Sequence, residues 1–380
     1  MITLCIPTKD RPAFLARLLR YYARARFPHA ICISDSSELE QAAENQRTVA
    51  SLAGQLTLDY QFCPGLSSNA AAEQLSRRVA TPYCALGADD DFLCPRGIDR
   101  CIAFLEDHSG YSAAHGVGLL LQVEGDQPYG SVGTVRRYPQ AVLSAETGAA
   151  RLKEFFTVSL KSLIFSVHRT ETWQAMFRGL SAMQGMQNHN VFKDELISTC
   201  VSVIRGKVKE VDGLYLVRQM HSGIHRHPHV YDWITDPAWF PSYQTFCDRL
   251  IEELIRQDGL SAAAARAAVR EGFWPYVAHC VTSDWEKDLA GRAPRRSSRG
   301  RALAARIPGL RRCWRAARTW VQQWQDALSL PALLRSSSPY HEDFRAVYGA
   351  VTSPPAAVSR RAEAQRPVRQ PAVVEVGVHE

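Results

Sequence analysis

The sequence lacks the features that define several classes of protein. Its 380 residues include ten cysteines, but no two of them form a CxxC pair, so neither a zinc ribbon nor a redox motif is predicted. No apolar run approaches the roughly 20 residues that a membrane-spanning helix needs. No basic segment followed by an apolar segment precedes the first predicted strand, so no secretory signal is expected. These absences favour a cytoplasmic protein whose cysteines are mostly buried free thiols.

Lysine is absent from residues 291–380, a segment with sixteen arginines and six acids. The net charge of this segment is +10, and the whole chain carries +7, which leaves −3 for residues 1–290. Because the excess positive charge is confined to the last quarter, the rest of the chain is not expected to bind nucleic acid through a basic surface.

No GxGxxG motif follows the first predicted strand, which argues against a dinucleotide-binding fold. The chain instead shows a regular alternation of strand and helix patterns. Short apolar segments that predict buried strands occur at residues 2–6, 29–33, 56–62 and 82–87. Segments with helical apolar spacing lie between them. This alternation predicts an α/β protein with a mostly parallel sheet flanked by helices, whose strands end at one common crevice.

Three adjacent carboxylates, Asp89, Asp90 and Asp91, follow the fourth predicted strand. Like charges this close repel one another unless a cation compensates them. Mg²⁺ and Mn²⁺ prefer such hard oxygen ligands and complete their shells with phosphate oxygens and water. If the segment is extended, Asp89 and Asp91 share a face and Asp90 points elsewhere. The alternative interpretation is a solvated acidic turn without a metal.

Polar residues also follow the first two strands. Thr8, Lys9 and Arg11 lie at the crevice edge after the first strand, where they could contact a phosphate or a base. For Lys9 the alternative is a solvated surface lysine. After the second strand, Asp35 could accept hydrogen bonds from a base or a ribose. Ser36 could bind an anion at the start of the next helix, or simply cap that helix.

Four blocks in this region carry a family resemblance. The blocks are Ile-Pro-Thr-Lys-Asp-Arg at residues 6–11, Ile-Ser-Asp-Ser-Ser at 33–37, Ser-Asn-Ala-Ala-Ala at 68–72 and Ala-Asp-Asp-Asp at 88–91. In order and spacing they resemble the N-terminal half of a family-2-type glycosyltransferase of the GT-A fold, over roughly residues 1–110. The resemblance implies a GT-A-like, Rossmann-like sheet that binds a nucleotide-sugar. The residues implied in donor binding are Pro7, Thr8, Lys9, Arg11, Asp35, Ser36, Asn69 and Asp90.

The last block resembles the DxD motif of that family, which binds a divalent cation, Mn²⁺ or Mg²⁺, bridging the donor diphosphate. Asp89 and Asp91 match this motif by spacing. The family often has an aspartate where this chain has Ala88, so the register within the triplet stays open. Related enzymes often place a histidine after the last strand as a further metal ligand, and His221 occupies that position. The neighbouring histidines His225, His227 and His229 match no zinc pattern and are expected in a surface loop.

Two acids, Asp194 and Glu195, open an apolar-periodic helix that ends at Gly206. They follow a polar segment, residues 184–190, that is predicted to be a mobile loop over the site. The pair resembles the acids that supply the general base of the family. An inverting transfer needs a carboxylate to accept the proton of the attacking hydroxyl, and Glu195 is preferred over Asp194. Alternatively, the acids only compensate the dipole of the helix.

The pattern of strands and helices is weaker in the rest of the chain. Residues 118–123 and 163–167 predict strands, and residues 136–139 predict a loop. Four segments are expected: a GT-A-like domain at 1–225, a helical appendage at 226–290, an Arg-rich amphipathic segment at 291–335 and a disordered tail at 336–380. Residues 303–328 carry an apolar stripe among arginines. This stripe suits peripheral contact with the inner face of a membrane, although packing against the protein itself or a second subunit would also cover it.

The resemblance therefore implies a metal-dependent, hexosyltransferase-type glycosyltransferase. It would move a sugar from a UDP or other nucleoside diphosphate donor to a hydroxyl of a saccharide, lipid-linked or protein acceptor, with inversion. One alternative is a nucleotidyltransferase of similar fold, although the Gly-rich basic loop typical of that class is missing after the first strand. Another alternative is a non-catalytic sugar-nucleotide or nucleic-acid binding protein whose Arg-rich tail carries the function.

Overall fold

The computed structural model describes residues 1–157, 162–182, 192–221, 229–292 and 328–354. Its centre is a nine-stranded sheet. The strands are β1 (Ile2–Thr8), β2 (Ala30–Asp35), β3 (Thr57–Phe62), β4 (Tyr83–Leu86), β5 (Phe92–Leu93), β6 (Tyr111–Val123), β7 (Val132–Tyr138), β8 (Val167–Arg169) and β9 (Lys207–Met220). The first four coincide with the apolar segments of the sequence, since each is a short apolar run ended by turn residues.

The strand order is β3-β2-β1-β4-β8-β6-β9-β5, and β7 pairs with β6. Six of these nine strands (β1, β2, β3, β4, β6 and β9) run in one direction, while β5, β7 and β8 run against them. The mixed, mostly parallel sheet confirms the predicted fold class. The register pairs Thr8 with Asp35 at the carboxyl ends of β1 and β2. The polar residues that follow neighbouring strands therefore meet at one edge.

Twelve α-helices lie in the described ranges. They are α1 (Pro12–Arg24), α2 (Leu39–Leu52), α3 (Ser68–Arg78), α4 (Pro95–Asp107), α5 (Gly148–Thr157), α6 (Thr170–Phe177), α7 (Ile197–Arg205), α8 (Val230–Thr235), α9 (Trp239–Asp258), α10 (Ala262–Arg292), α11 (Leu330–Leu333) and α12 (His341–Thr352). Proline at the first position starts both α1 and α4 with its backbone already restricted to helical φ. Within these ranges, no helix is both long and apolar enough to cross a membrane.

Seven of the cysteines in these ranges are buried, and none is in a disulfide. This confirms that the free thiols mostly serve as small core residues.

Two local predictions in the second half of the domain are wrong. Residues 136–139 were expected in a loop, but residues up to Tyr138 belong to β7, where Tyr138 pairs with Gly118. Residues 163–167 were expected in a strand, but only Val167 is in β8, and the amide of Ser166 closes a turn onto the carbonyl of Leu163 at 3.0 Å. Pairing with β6 decides the conformation of residues 136–138, and sequence propensity does not contain that information.

The disorder predicted for residues 336–380 is wrong for 336–354. Helix α12 lies there and buries Phe344, Val347 and Val351 against α1. Its first turn is tied to α4 by an ion pair between Arg96 and Glu342. The sequence pattern did not predict this amphipathic helix, because it is only three turns long and lies in a segment rich in Ser and Pro. Residues 303–327 of the predicted membrane segment lie outside the described residues, and its last residue, Leu328, is buried. The His225–His227 part of the histidine tract and the predicted mobile loop also lie outside the described residues.

The helical appendage packs on the sheet domain, mainly through α10 on α5 and α9 on α7. Its aromatic core surrounds Phe192, whose ring centroid lies 4.9 Å from those of both Trp233 and Phe246 and 5.7 Å from that of Phe273. Phe192 begins the π-helical turn Phe192–Leu196, which carries Glu195. The appendage therefore holds in place one of the predicted catalytic acids.

At Gly97, helix α4 packs so closely on β9 that there is no room for a side chain. A Cβ on Gly97 would lie 2.5 Å from the carbonyl oxygen of Leu214 and 2.8 Å from Cα of Tyr215. Gly97→Ala is expected to lower the free energy of unfolding by about 1–3 kcal/mol, because backbone must move to accept the methyl group. Gly110→Ala is the matched control, since nothing lies within 4 Å of its Cβ position. Urea unfolding of both variants measures the difference, and equal stability of the two would contradict the packing.

Candidate functional site

The aspartate triplet forms a turn at the carboxyl end of β4. The amide of Asp91 donates to the carbonyl of Ala88 at 3.3 Å, so the segment is not extended. The expected alternation, with Asp89 and Asp91 on one face, is therefore wrong. All three side chains are nevertheless buried, at 0%, 7% and 3% exposure for Asp89, Asp90 and Asp91. This burial excludes the solvated acidic turn that was the alternative interpretation.

Asp89 is bound by the loop that follows β1. The hydroxyl of Thr8 donates to Asp89 Oδ2 at 2.7 Å, and Arg11 Nη2 lies 2.7 Å from Oδ1. No hydrogen-bond donor is aligned on the buried Oδ1 atom. Burial raises the pKa of Asp89 to about 7, although the charge of Arg11 opposes the rise. The site therefore holds a carboxyl group for which a further cation would be favourable.

Asp90 is the member of the triplet with the largest exposure, and it contacts the side chains of Arg11 and His221. Its Oδ2 accepts hydrogen bonds from Arg11 Nη1 at 2.8 Å and from His221 Nε2 at 2.7 Å. Burial alone would raise the pKa of Asp90, but the hydrogen bond from His221 and the charge of Arg11 hold it below its ordinary value. Asp90 is therefore the carboxylate most firmly kept in its charged form, at the edge of the crevice.

Asp91 contacts β9 and not the loop after β1. Its Oδ2 accepts from Arg218 Nε at 2.8 Å, and its Oδ1 accepts from the amide of Gln219 at 3.0 Å. Burial raises the pKa of Asp91 to about 6 against the charge of Arg218. The guanidinium of Arg218 lies over the rings of Phe165 and Tyr138, 4.5 and 5.1 Å from their centroids. Asp91 thus anchors the end of β9 to the turn.

Glu195 is close enough to Tyr138 for its charge to act on that residue. Its side chain is half-buried, and its charge is one of the influences that, after burial, raise the pKa of Tyr138. The hydroxyl of Tyr138 in turn accepts from Arg218 Nη1 at 3.2 Å. Tyr138, Arg218 and Asp91 therefore form a connected series of polar groups. Asp194 belongs to the same turn of backbone, but its side chain is outside the described part of the structure.

The other predicted donor residues lie around this centre. Asp35 is fully buried; its Oδ2 accepts from Asn45 Nδ2 at 2.7 Å and Tyr60 Oη at 2.6 Å, and its Oδ1 accepts from the amide of Ser37 at 2.9 Å. These bonds give Asp35 a structural role in joining β2 to α2. Its contact with a nucleotide stays a prediction.

The loops after β1 and β2 are joined to each other. The amide of Ser36 donates to the carbonyl of Thr8 at 3.0 Å. Pro7 is half-buried and Lys9 is exposed at this edge, while Asn69 is buried in the first turn of α3. The structure thus brings Pro7, Thr8, Lys9, Arg11 and Ser36 to one rim.

Three functional candidates were missed in the sequence: Arg17, Tyr138 and Arg218. Arg17 is 1% exposed under the triplet, where its Nη2 donates to the carbonyl of Asp90 at 2.7 Å and its Nη1 to that of Pro128 at 2.6 Å. Burial lowers the pKa of Arg17 to about 10, despite the nearby aspartates. The sequence does contain one signal for Arg17: it lies on the apolar face of α1, between Phe14 and Leu18. A charged residue on such a face is unusual unless it has a buried partner. No comparable signal marks Tyr138 or Arg218.

A cavity of about 330 Å³ adjoins the crevice on the face of the sheet formed by β7, β6 and β9. Leu120 stands opposite Arg136 on β7 and Arg218 on β9, so these side chains share that face. The lining residues are Leu120, Gln122, Val123, Asp126, Thr134, Arg136, Met220 and His221. The cavity therefore begins at His221 and extends away from the triplet.

The described residues contain no group of three or more His, Cys, Asp or Glu side chains arranged to hold a metal ion. The predicted trio Asp89, Asp91 and His221 is not assembled, because Asp91 faces Arg218 whereas His221 contacts Asp90. Mg²⁺ and Mn²⁺ usually take only one or two protein carboxylates and fill their remaining positions with phosphate oxygens and water. Asp90 with His221 fits a cation bound in that manner.

No protein-family profile matches the sequence, and no curated protein matches it. Among solved structures the chain is similar to S. aureus TarS. The complex of TarS 1-349 with UDP-GlcNAc is 14% identical over 72% of this chain and 71% of that chain, with a TM-score of 0.47. The complex of TarS 1-349 with UDP is 13% identical over 98% and 94%, with a TM-score of 0.43. Similarity this low does not identify an activity, which has to be inferred from the site.

Proposed function

We propose that this protein is a glycosyltransferase that moves a sugar from a nucleoside diphosphate donor, such as a UDP-sugar, to a hydroxyl group of an acceptor. The observation that carries the proposal is the buried aspartate turn at the carboxyl end of β4, with Arg11, Arg218 and His221 arranged around it. A crevice at the carboxyl ends of parallel strands is where α/β sheets bind nucleotides. Alternating carboxylates and cations there match a ligand that is a diphosphate with an associated metal ion.

In this proposal Asp90 and His221 hold a divalent cation, Mn²⁺ or Mg²⁺. When bound, the cation would neutralise the negative charge that develops on the leaving diphosphate. Arg11 already spans Asp89 and Asp90, and its side chain is 35% exposed, so it can turn toward a phosphate oxygen. Asp90 is the proposed carboxylate ligand of the metal, in place of the predicted Asp89 and Asp91. The side chains of those two aspartates hold Thr8, Arg11 and Arg218 in position.

Glu195 is the proposed general base. Its charge acts on Tyr138, whose hydroxyl group accepts a hydrogen bond from Arg218, the partner of Asp91. A carboxylate in this position can accept the proton of an acceptor hydroxyl as the oxygen attacks the anomeric carbon. Attack from the side opposite the diphosphate inverts the configuration at that carbon, so we propose an inverting transfer.

The acceptor is proposed to enter through the cavity on the β7–β6–β9 face. Its floor is partly apolar, through Leu120 and Met220, and its walls offer polar groups from Gln122, Thr134 and Arg136. A hydroxyl-bearing acceptor could be held by these groups while one hydroxyl reaches toward Glu195. A saccharide, a lipid-linked sugar or a glycosylated protein would each present such a hydroxyl.

The proposal predicts metal-dependent nucleotide binding. UDP, GDP, ADP and TDP are titrated into the protein by calorimetry with and without Mn²⁺, and the tightest binder is used. Asp90→Asn and His221→Gln are expected to weaken the metal-dependent affinity by at least about tenfold, because ligands in the metal shell are lost. Asp107→Asn, an exposed acid at the end of α4, is the matched control and should bind normally.

Wild-type affinity in both site variants would contradict the assignment of the cation to Asp90 and His221. Failure of all four nucleotides to bind would contradict the nucleotide-sugar proposal itself. Binding without consumption of any donor sugar, in the presence of a broad acceptor panel, would favour a non-catalytic binding protein instead.

A further inference from the structure

Four arginine side chains converge on one buried carboxylate. The carboxylate belongs to Glu253 on α9, which is 1% exposed. The arginines are Arg178, which follows α6, Arg205, which ends α7, and Arg249 and Arg256 on α9, and they are called the arginine cluster here. A buried carboxylate requires a cationic partner, but a single bidentate guanidinium group can provide it. The cluster therefore contains more positive charge than Glu253 needs.

The distances within the arginine cluster separate two kinds of contact. Arg205 Nε donates to Glu253 Oε2 at 3.0 Å, and Arg256 Nη1 donates to Oε1 at 2.8 Å. The Nη2 atoms of Arg178 and Arg249 each lie 3.6 Å from the same Oε1 atom, beyond ordinary hydrogen-bond length. Three guanidinium groups thus surround one oxygen atom, and one of them is hydrogen-bonded to it.

The charges around Arg249 show the same excess. Besides Glu253, the exposed Glu252 acts on Arg249, so four cations face two acids. The pKa of Arg249 is lowered, first by burial and second by the positive charge of Arg178, whose effect is larger than the attraction of Glu253. Like charges disfavour one another at this range, and a bound anion relieves their repulsion.

Helix ends explain only part of the arginine cluster. Helices α6 and α7 both end there, and cations stabilise the C-terminal end of a helix. Arg249 Nη2 serves α6 directly, because it donates to the carbonyl of Ala175 at 2.7 Å. Arg178 and Arg256, in contrast, have side chains that are 55% and 49% exposed. A guanidinium group has five N–H donors, so these two can bind a ligand from solvent and keep their present contacts.

The arginine cluster is separate from the proposed active site. Glu195 precedes the first residue of α7, whereas Arg205 is the last residue of that helix. The nine residues of α7 extend over about 13 Å along the helix axis. A ligand at the cluster is therefore distinct from a donor diphosphate in the crevice.

We propose that the arginine cluster binds a phosphate group. Arg178 and Arg256 would hold the phosphate at the surface, and the less exposed Arg205 and Arg249 would add positive charge behind them. Arginine suits this ligand because its planar fork donates two parallel hydrogen bonds to phosphate oxygens. The phosphate is either free or carried as an ester by a larger molecule, and the chemistry of recognition is the same. The inference does not depend on the proposed activity, because it uses no residue of the crevice.

The test is calorimetric titration of inorganic phosphate into the full-length protein at low salt, with EDTA present so that no metal ion binds phosphate in the crevice. Arg178→Gln/Arg256→Gln is expected to weaken phosphate binding by at least about tenfold, because both exposed guanidinium groups are lost. The matched control is Arg24→Gln/Arg47→Gln, which removes the same charge from exposed positions on α1 and α2. The control should bind phosphate like the wild type.

A second titration, with ribose 5-phosphate, distinguishes the two sources of the phosphate group. Equal affinities would assign the site to free phosphate, and tighter binding of the ester would assign it to a phosphorylated molecule. Thermal unfolding gives an independent measurement. Phosphate should raise the Tm of the wild type and of the control more than that of Arg178→Gln/Arg256→Gln, because a ligand stabilises the folded state that binds it.

Circular dichroism of each variant establishes that it is folded. Equal phosphate affinity of the wild type and Arg178→Gln/Arg256→Gln, or no phosphate binding to the wild type, would overturn the proposal. The arginines would then serve only Glu253 and the helix ends. An equal loss of affinity in the control would show attraction to the net charge of the protein instead of a site, and would overturn the proposal as well.

Discussion

Glu195→Gln is expected to lower the turnover of sugar transfer by about 10²–10⁴-fold while the affinity for the donor nucleotide stays unchanged. Glutamine keeps the size and polarity of the side chain, but it cannot accept the proton of an acceptor hydroxyl. The effect should appear in kcat, because the acid acts during the transfer and not in donor binding. Steady-state transfer assays combined with calorimetric titration of the nucleotide separate the two quantities.

Glu106→Gln, on the exposed side of α4, is the control for this prediction. If Glu195→Gln turns over normally while Asp194→Asn is inactive, the base is one residue earlier in the same turn. If both variants remain active, neither acid is the base, and the acids would only compensate the helix dipole.

Asp91→Ala is expected to lower the free energy of unfolding by about 3–5 kcal/mol, whatever its effect on metal binding. The substitution removes the partner of Arg218, whose guanidinium is largely enclosed between Phe165 and Tyr138. It also leaves the amide of Gln219 without its acceptor. Urea denaturation of the ligand-free protein measures the change.

A double-mutant cycle tests the reason for this loss. Asp91→Ala/Arg218→Met removes both charges, and methionine can still fill the space between the two rings. The double variant should therefore be more stable than Asp91→Ala alone. If the losses of the two single variants simply add, the pair is not coupled, and the burial of Arg218 would need another explanation.

The predictable part of the site followed from local patterns. The strand before Ala88 is an apolar run bounded by turn residues, and the helix after Cys94 begins with Pro95. Both signals lie within a few residues, so they place the aspartates at a strand end whatever the rest of the chain does. The same holds for Thr8 and Arg11 after β1. Glu195 was found because two acids precede an apolar-periodic segment.

The errors arose where distant segments decide a local conformation. The predicted alternation of side chains required an extended segment at residues 89–91. The structure has a turn there, in which Asp89 contacts Arg11 and Asp91 contacts Arg218. Residues up to Tyr138 form a strand because β6 offers an unpaired edge there. Helix α12 was predicted to be disordered because so short a helix is stabilised by its contacts with α1, β7 and β9, which are distant in sequence.

The sequence by itself determined the order of strands and helices, and with it a mostly parallel sheet whose polar strand ends share one crevice, because these features follow from apolar periodicity and turn chemistry. Only the tertiary structure decided which carboxylate faces that crevice. Asp90 meets His221 across 131 residues and Asp91 meets Arg218 across 127, and no local pattern encodes either pair. Three neighbouring aspartates have the same intrinsic chemistry, so the partners that folding brings to each of them set their different roles.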